Sequence, residues 1–388
     1  MRILIAPDKF RDSLDAMSVA KAMAKGLQLQ DKDIDFQLFP LADGGEGTAK
    51  ILSHHTEGTL HTIEVTDPLL RPIEATYGIS ADGKTAFIEM AAASGLHLLQ
   101  PSERNCYYTS SYGTGELILD ALEHDVEHII LGIGGSATND AGIGMANALG
   151  YRFMDKFNME LAPIGESLEH IAKIDATNMK AYIGNTRFTV AYDVDCPLHG
   201  PQGAAYTYGR QKGAGFSQIE SLDLGLENFA RITKWNYRKD VASMAGAGAA
   251  GGMGAGAYFF LNAEARKGTE LIMEICNFQE QLKDTDLILT GEGSLDSQTL
   301  QGKVIQGICE TAKPLNIPVV ALCGSIETNP ELIQKLEGLT YAISICNQPK
   351  KLSDALKNTQ EDLAFAAFNL LRFMQKPQQN KLQKTIHT

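Results

Sequence analysis

The stretch Leu131-Gly-Ile-Gly-Gly-Ser-Ala-Thr-Asn-Asp-Ala-Gly-Ile-Gly-Met-Ala-Asn-Ala-Leu-Gly150 is the most informative part of this chain. It begins at the end of an apolar run, Ile129 to Leu131, which predicts a buried strand. Glycines, small hydroxyl side chains, Asn139 and Asp140 follow, and then a helix rich in alanine. Glycine lets a ligand approach the backbone, and a helix N-terminus presents unpaired N–H groups. This unit therefore predicts a bound phosphate or carboxylate with an acid beside it.

Length and composition indicate a globular protein and argue against nucleic-acid-binding and membrane-spanning proteins. A chain of 388 residues, 44% hydrophobic and 21% charged, predicts a globular protein of two domains. Its net charge of -13 argues against nucleic acid or an anionic membrane as the main partner. The six cysteines are scattered, which is typical of reduced thiols, and we find neither a signal peptide nor an apolar stretch long enough to cross a bilayer. We therefore expect a cytoplasmic protein that acts on small molecules.

Apolar strands alternate with helical patterns at both ends of the chain. Such β-α-β runs predict an α/β fold, a doubly wound parallel sheet of the flavodoxin or Rossmann type. We expect this domain to be built from residues 1–75 and 285–375, with a second α/β domain inserted at 76–284 and a polar tail at 376–388. Asp82-Gly83 predicts a hairpin turn, whereas the region 186–256 has no regular pattern.

Four further loops repeat the arrangement of the first, with polar residues directly after an apolar strand. They follow the strands at 3–6, 37–41, 287–290 and 319–323, and they contain 7–13, 43–48, 291–296 with Gly302-Lys303, and Gly324-Ser325. Ligands of open α/β sheets bind beyond the carboxyl ends of the strands. Backbone N–H groups and lysines neutralise phosphate, while carboxylates hold Mg²⁺ or accept a proton. Any one loop can be turn geometry alone, but five together predict a magnesium–phosphate site.

Formal motifs leave two alternatives open. No Walker A sequence is present, because Gly302-Lys303 is followed by Val304. Two loose glycine fingerprints, starting at Gly132 and Gly246, allow an NAD-dependent dehydrogenase of a small hydroxy acid. A non-catalytic protein that binds a phosphorylated metabolite is the other alternative, although such a protein has little use for so many carboxylates.

Six segments of the chain, in order, resemble the type I glycerate kinases. The segments are Ala-Pro-Asp-Lys-Phe-Arg-Asp-Ser-Leu at 6–14, Ala-Asp-Gly-Gly-Glu-Gly-Thr at 42–48, Gly-Gly-Ser-Ala-Thr-Asn-Asp at 134–140, Asp-Val-Asp-x-Pro-Leu at 193–198, Gly-Ala-Gly-Ala-Ala-Gly-Gly at 246–252 and Thr-Gly-Glu-Gly-x-x-Asp-x-Gln-Thr-x-x-Gly-Lys at 290–303. The resemblance implies a two-domain α/β enzyme that uses ATP and Mg²⁺ to phosphorylate D-glycerate to 2-phosphoglycerate in glycerate catabolism. The chain departs from the family pattern at Arg11-Asp12, usually Lys-Gly, at Ala141, usually Gly, at Cys196 and His199, and at Arg210.

The resemblance and the loops together predict a role for each candidate residue. For the base that accepts the hydroxyl proton we favour Asp193 or Asp195, with Asp8 next. Lys9, Arg11 and Ser13 are the predicted substrate contacts. The predicted magnesium ligands are Asp43, Glu46, Glu292 and Asp296. Phosphate and nucleotide are expected to contact Gly44, Gly45, Gly134, Gly135, Ser136, Asn139, Gly291 and Lys303.

Overall fold

The computed structural model describes residues 1–179, 181–193, 195–296, 299 and 302–386, which form two compact units. The first unit comprises Met1–Asp43 and Ile272–Thr388, and the second Gly44–Leu271. These limits differ from those expected at residues 75 and 285. The expected first limit falls inside a strand that pairs along its whole length with the preceding one, from Thr59 opposite Ile79 to Thr66 opposite Pro72. Before the second limit, the ring of Phe278 packs against that of Phe39, which ties this segment to the first unit.

The strands within the described residues are β1 (Arg2–Ile5), β2 (Asp35–Leu38), β3 (Thr59–Thr66), β4 (Pro72–Ile79), β5 (Thr85–Glu89), β6 (His128–Gly132), β7 (Arg152–Met154), β8 (Lys173–Asp175), β9 (Arg187–Tyr192), β10 (Glu264–Lys267), β11 (Leu287–Thr290), β12 (Ser294–Leu295), β13 (Val319–Cys323), β14 (Ser325–Ile326) and β15 (Leu339–Ser344).

The α-helices in the same part of the chain are α1 (Ala16–Gln30), α2 (Thr48–His55), α3 (Met90–Ser94), α4 (Tyr112–Glu123), α5 (Ile143–Ala148), α6 (Ala204–Tyr208), α7 (Phe216–Tyr237), α8 (Ala249–Leu261), α9 (Gly268–Ile275), α10 (Phe278–Gln281), α11 (Val304–Ala312), α12 (Pro330–Lys335) and α13 (Leu352–Ile386).

The first unit is built on a parallel sheet in the order β15-β13-β11-β1-β2. The central strand β11 is buried along its whole length, which explains its continuous apolar sequence. Helices α1 and α13 pack together beside this sheet, and Met23 and Leu363 lie in one apolar core with the strands. The helices come so close that a side-chain carbon on Gly26 would lie 2.0 Å from the carbonyl oxygen of Ala364.

The second unit contains a mixed sheet in the order β10-β9-β6-β5-β4-β3. Strands β5, β6, β9 and β10 are parallel, while β3 pairs with β4 and β4 with β5 in antiparallel fashion. The predicted hairpin turn at Asp82-Gly83 joins β4 and β5. The parallel strands of both units confirm the α/β class. They also bring the carboxyl ends of β5, β6 and β9 to the same edge of the second sheet.

Two regions differ from the sequence-based expectation. The middle of the chain, expected to be irregular, contains β9 and the long helix α7, whose buried Leu222, Leu226 and Phe229 follow helical spacing. Helix α13 continues to Ile386, through most of the expected polar tail, whose last residues 387–388 lie outside the described part. Lysine, glutamine and leucine in this segment are good helix formers. Among the described residues, no helix has the length and apolar character needed to cross a membrane.

Candidate active site

The first unit gathers six predicted residues around the carboxyl ends of β1, β2 and β11. We call this group the acidic cluster: Asp8, Lys9, Asp43, Glu292, Asp296 and Lys303. The parallel pairing of the three strands explains the grouping, because loops that leave the same edge of a sheet are neighbours. Segments that follow three strands far apart in the sequence therefore supply carboxylates and ammonium groups to one place.

Asp8 is the buried carboxylate on the β1 side of the acidic cluster. Burial raises its pKa to about 7, assisted by the negative charge of Asp43 and opposed by Lys9 and Lys303. One Asp8 oxygen accepts a hydrogen bond from the backbone amide of Lys9 at 2.7 Å. The Lys9 ammonium in turn lies 3.1 Å from the Asp43 carboxylate, with both side chains about one-fifth exposed. Like charges and opposite charges are thus interleaved, an arrangement that attracts both cations and phosphate.

Glu292 is buried on the β11 side of the acidic cluster. Burial raises its pKa to about 7, while a hydrogen bond from the Thr299 hydroxyl at 2.5 Å and the charge of Lys303 act in the opposite direction. Asp8 and Asp296 both raise the pKa of Glu292 through their negative charges. The carboxylates of this cluster therefore repel one another, and a bound cation would relieve that repulsion.

Two predicted substrate residues of the first unit lie in different surroundings. Arg11 is exposed in the turn that follows β1. Ser13 instead donates from its hydroxyl group to the carbonyl oxygen of Leu356 at 2.7 Å, and its oxygen lies 2.7 Å from the hydroxyl oxygen of Thr359, so it fastens the turn to helix α13. Gly291 has a packing role as well, because a side-chain carbon there would lie 2.1 Å from the carbonyl oxygen of Leu322 on β13.

The second unit brings together the glycines that follow β6 and those that precede α2. A side-chain carbon on Gly132 would lie 2.4 Å from the carbonyl oxygen of Gly44, and one on Gly134 would lie 2.9 Å from the Cα atom of Gly45. Gly135 has a φ of 75°, in the left-handed region that glycine adopts without strain. We call these two segments, 44–47 and 132–136, the glycine loops. Their backbones touch directly, so main-chain groups of both segments lie next to each other.

Ser136, at the end of the second glycine loop, contacts a buried lysine that the sequence analysis missed. The ammonium of Lys212 donates to the Ser136 hydroxyl at 2.8 Å and to the carbonyl oxygen of Thr138 at 2.7 Å. Burial lowers the pKa of Lys212 to about 8. Beside it, the buried side-chain amide of Asn139 has no hydrogen-bond partner for either its nitrogen or its oxygen among the described residues. Unsatisfied buried amides are rare and indicate a place for a ligand or water.

Four other acidic residues of the second unit, which the sequence analysis singled out, have different surroundings. Asp140 is fully buried and accepts hydrogen bonds from Ser111 and from the amides of Gly142 and Gly144 at the start of α5, so it supports the loop. Desolvation raises its pKa. Asp195 is exposed and accepts from the amide of Gly246 at 3.1 Å. Asp193 is half-buried, and a side-chain carbon on Gly44 would lie 3.5 Å from its oxygen. Glu46 is exposed in the turn before α2.

Sequence reasoning overlooked Glu89 as well as Lys212. Glu89 ends β5, and the rule that polar residues at strand ends belong to the site could have identified it. Lys212 lies in a short segment between α6 and α7, and its only sequence signal is the stretch around Arg210 where the chain departs from the family pattern.

The described residues contain no group of three or more His, Cys, Asp or Glu side chains placed to hold a metal ion by themselves. Magnesium commonly binds one or two carboxylates and completes its shell with water and substrate phosphates. The acidic cluster, with its mutually repelling carboxylates, fits that mode of binding rather than an all-protein cage.

The chain is similar to known proteins along nearly its whole length. The sequence model of the glycerate kinase family matches residues 3–375. The chain is 43% identical to a glycerate kinase of Halalkalibacterium halodurans, over 95% of this chain and 97% of that protein. It is 41% identical to the glycerate 2-kinase of Escherichia coli K12, over 95% and 97% respectively. A crystal structure of a protein described as glycerate kinase 2 from Salmonella typhimurium LT2 superimposes with a TM-score of 0.86 at 43% identity, covering 98% of this chain and 99% of that one.

Proposed function

The chain belongs to the glycerate kinase family, and we infer that it transfers the γ-phosphoryl group of ATP to glycerate, giving 2-phosphoglycerate and ADP. The observation that carries this conclusion is the continuous similarity, over 95% of the chain, to proteins named glycerate kinase and glycerate 2-kinase. Neither a dehydrogenase nor a non-catalytic binding protein has any support among these relatives. The enzyme is therefore a phosphotransferase with a hydroxyl group as acceptor.

Phosphoryl transfer needs alignment, neutralisation of charge and removal of the hydroxyl proton. As the glycerate oxygen bonds to phosphorus, the bond to the ADP oxygen breaks and the hydroxyl proton passes to a base. We propose a carboxylate for this role, Asp8 ahead of Asp193 and Asp195. Asp8 is supported by its burial and by its pKa of about 7, which lets it accept a proton near neutral pH. Asp195 is exposed and already accepts an amide hydrogen bond.

The cations of the acidic cluster are proposed to neutralise substrate charge. Lys303 faces Asp8 and Glu292, and Lys9 faces Asp43, so both ammonium groups lie where a phosphate group would meet donors. Lys303 is proposed on the phosphate chain of ATP and Lys9 on phosphate or the glycerate carboxylate. Exposed Arg11 is proposed to add a second positive charge beside Lys9.

Magnesium is proposed to bind with ATP at the acidic cluster. Its candidate ligands there are Asp43, Glu292 and Asp296. Glu46, in the turn before α2 of the second unit, is kept as a separate candidate. When bound, the ion would neutralise phosphate charge and thereby stabilise the transition state. Asp43 raises the pKa of Asp8, and Asp8 and Asp296 raise the pKa of Glu292, so a bound cation would relieve the repulsion between these carboxylates.

The glycine loops are proposed to bind an oxyanion of the substrates. Amides of Gly44, Gly45, Gly134 and Gly135, the hydroxyl of Ser136 and the free amide of Asn139 supply neutral donors, which suit phosphate or carboxylate without repelling it. Gly291 is proposed to let the nucleotide approach the end of β11 closely. We also propose that the substrate is D-glycerate and that the reaction takes place in the cytoplasm, where ATP is available.

Release of ADP from MgATP by the purified protein tests this function. We expect ADP to form with D-glycerate at more than about one turnover per second, a usual kinase rate, and to form far more slowly without it or with L-glycerate. An unchanged rate on addition of D-glycerate would contradict the proposed function. A nicotinamide absorbance change with glycerate, in place of ADP, would support the dehydrogenase instead.

A further inference from the structure

Lys212 is a buried ammonium group that forms no ion pair with any described residue. Its side chain is 4% exposed, and its hydrogen bonds go to two neutral acceptors, the Ser136 hydroxyl and the Thr138 carbonyl. Within the described part of the chain, no carboxylate lies close enough to it to form a salt bridge. Its backbone is fixed from both sides, because its carbonyl oxygen accepts from the Cys106 amide and its own amide donates to Tyr208.

Burying such a charge is unfavourable unless a favourable interaction compensates for the loss of hydration. A methionine or leucine of similar volume would fill the same space without the unfavourable free energy of burying a charge. The groups that face Lys212 are Asp140, Cys106 and Cys196, and each of them favours the protonated amine. The fold therefore retains a positive charge at a position where packing alone does not require one.

The bond from Lys212 fixes the direction in which Ser136 can donate. A serine hydroxyl has one hydrogen to donate, and its oxygen accepts. Because the Ser136 oxygen accepts from Lys212, its own hydrogen must point elsewhere, and no acceptor for it is found among the described residues. Ser136 ends a glycine loop and lies three residues before the unpaired amide of Asn139.

We propose that Lys212 is a positioning residue that holds Ser136 as a hydrogen-bond donor to an oxyanion of the bound substrates. This inference rests on the proposed function, and the oxyanion is either the glycerate carboxylate or a phosphate group of ATP. Loss of the lysine proton would let Ser136 donate to the neutral amine, so the oriented donor would disappear. Protonated Lys212 is thus the active form.

Steady-state kinetics of the full-length enzyme test the proposal, with Lys212→Met and Lys239→Met as a matched pair. Lys239 is also a lysine of the second unit that donates to backbone carbonyl oxygens, those of Tyr258 and Phe259, and it touches none of the glycine loops in the described structure. We expect K212M to lower kcat/KM by about 30-fold or more and K239M to leave it within twofold. A raised KM for glycerate would assign the oxyanion to the carboxylate, and a raised KM for ATP would assign it to phosphate.

Three further measurements separate positioning from a structural role. The double variant S136A/K212M should have a kcat/KM within about threefold of that of S136A alone. Both changes remove the same hydrogen-bond donor, so their effects should not add. The kcat/KM of the wild type should fall above pH of about 8, and Lys212→Arg should move that fall upward, since arginine stays protonated. If K212M does not fold, the pH profile of K212R still tests the proposal.

The results that would overturn the role of Lys212 differ from those that would overturn the kinase assignment. A folded K212M with both KM values and kcat within twofold of the wild type would overturn the inference while leaving the kinase assignment intact. Additive losses in the double variant, or an alkaline fall in K212R identical to that of the wild type, would also overturn it. A wild-type enzyme without glycerate-dependent ADP release would contradict the proposed function and the inference together.

Discussion

The carboxylate of Glu89, at the end of β5, accepts a hydrogen bond from the backbone amide of Ala49 in the first turn of α2 at 2.7 Å. Its other oxygen accepts from the amide of Gly47 at 3.0 Å. The N-cap of this helix is Gly47 itself, in the left-handed conformation and without a side chain to cap the exposed amides. A carboxylate from a neighbouring strand therefore performs the capping and fixes the glycine loop before α2.

Glu89→Ala should lower the free energy of unfolding by about 2 kcal/mol, because two amide donors lose a charged acceptor. Glu89→Gln should lower it less, since the amide oxygen can still accept one of the two bonds. Urea denaturation at pH 7 measures both. If E89A unfolds at the same urea concentration as the wild type, Glu89 does not cap α2.

The direct backbone contact between the glycine loops gives a second prediction. Gly132→Ala would place a carbon 2.4 Å from the carbonyl oxygen of Gly44, so one loop must move. We expect a loss of about 1–3 kcal/mol in stability and a lower kcat/KM, because both loops belong to the candidate site. Gly184→Ala is the matched control, since a side-chain carbon there would have nothing within 4 Å. Equal stability and activity for G132A and G184A would contradict the close contact.

The base assignment predicts a specific kinetic loss. Asp8→Asn should reduce kcat by about 10²–10⁴-fold with little change in either KM, since the amide cannot accept the hydroxyl proton. Asp33→Asn, at an exposed position of the same unit, serves as the control and should keep normal kcat. If D8N retains kcat and Asp193→Asn or Asp195→Asn loses it, the base is the residue whose variant is inactive.

The pKa of Lys212 predicts how stability varies with pH. Its folded pKa, about 8, lies below its ordinary value of 10.5 because the side chain is desolvated. Between these values the unfolded chain binds the proton and the folded chain does not. Since stability rises with pH wherever the unfolded state binds more protons, the contribution of Lys212 should increase from pH 8 to 10.5.

Comparison with K212M isolates this contribution from the other titrating groups. The difference in unfolding free energy, wild type minus variant, should become more favourable to the wild type as pH rises through that window. Chemical denaturation at several pH values measures it. A difference that stays constant or falls would show that Lys212 is not desolvated.

Much of the fold could be predicted from sequence because its central strands are apolar and short. Leu287–Thr290 and Val319–Cys323 are buried along their whole length, and polar residues mark their ends, so even their limits were predicted correctly. The edge strand Glu264–Lys267 was missed, since three of its residues are charged and no period is visible. Helix α7 was missed because glycine- and alanine-rich segments around it obscured its helical spacing.

The candidate site was predictable only where it follows the rule of polar residues at strand ends. That rule identified the acidic cluster, whose members follow β1, β2 and β11. Lys212 follows no strand, and its contact with Ser136 depends on tertiary packing between segments distant in sequence. Ala141, where the family pattern has glycine, has a φ of 50°, in the left-handed region that glycine adopts without strain.

The central claim is the transfer of a phosphoryl group from ATP to the 2-hydroxyl group of glycerate. Proton-coupled ³¹P NMR of the reaction of the enzyme with ATP, Mg²⁺ and D-glycerate tests it directly. A phosphate on C2 is coupled to a single proton and gives a doublet, whereas one on C3 is coupled to two protons and gives a triplet. We predict a new doublet that grows in step with ADP. A triplet, or ADP together with inorganic phosphate alone, would contradict the account.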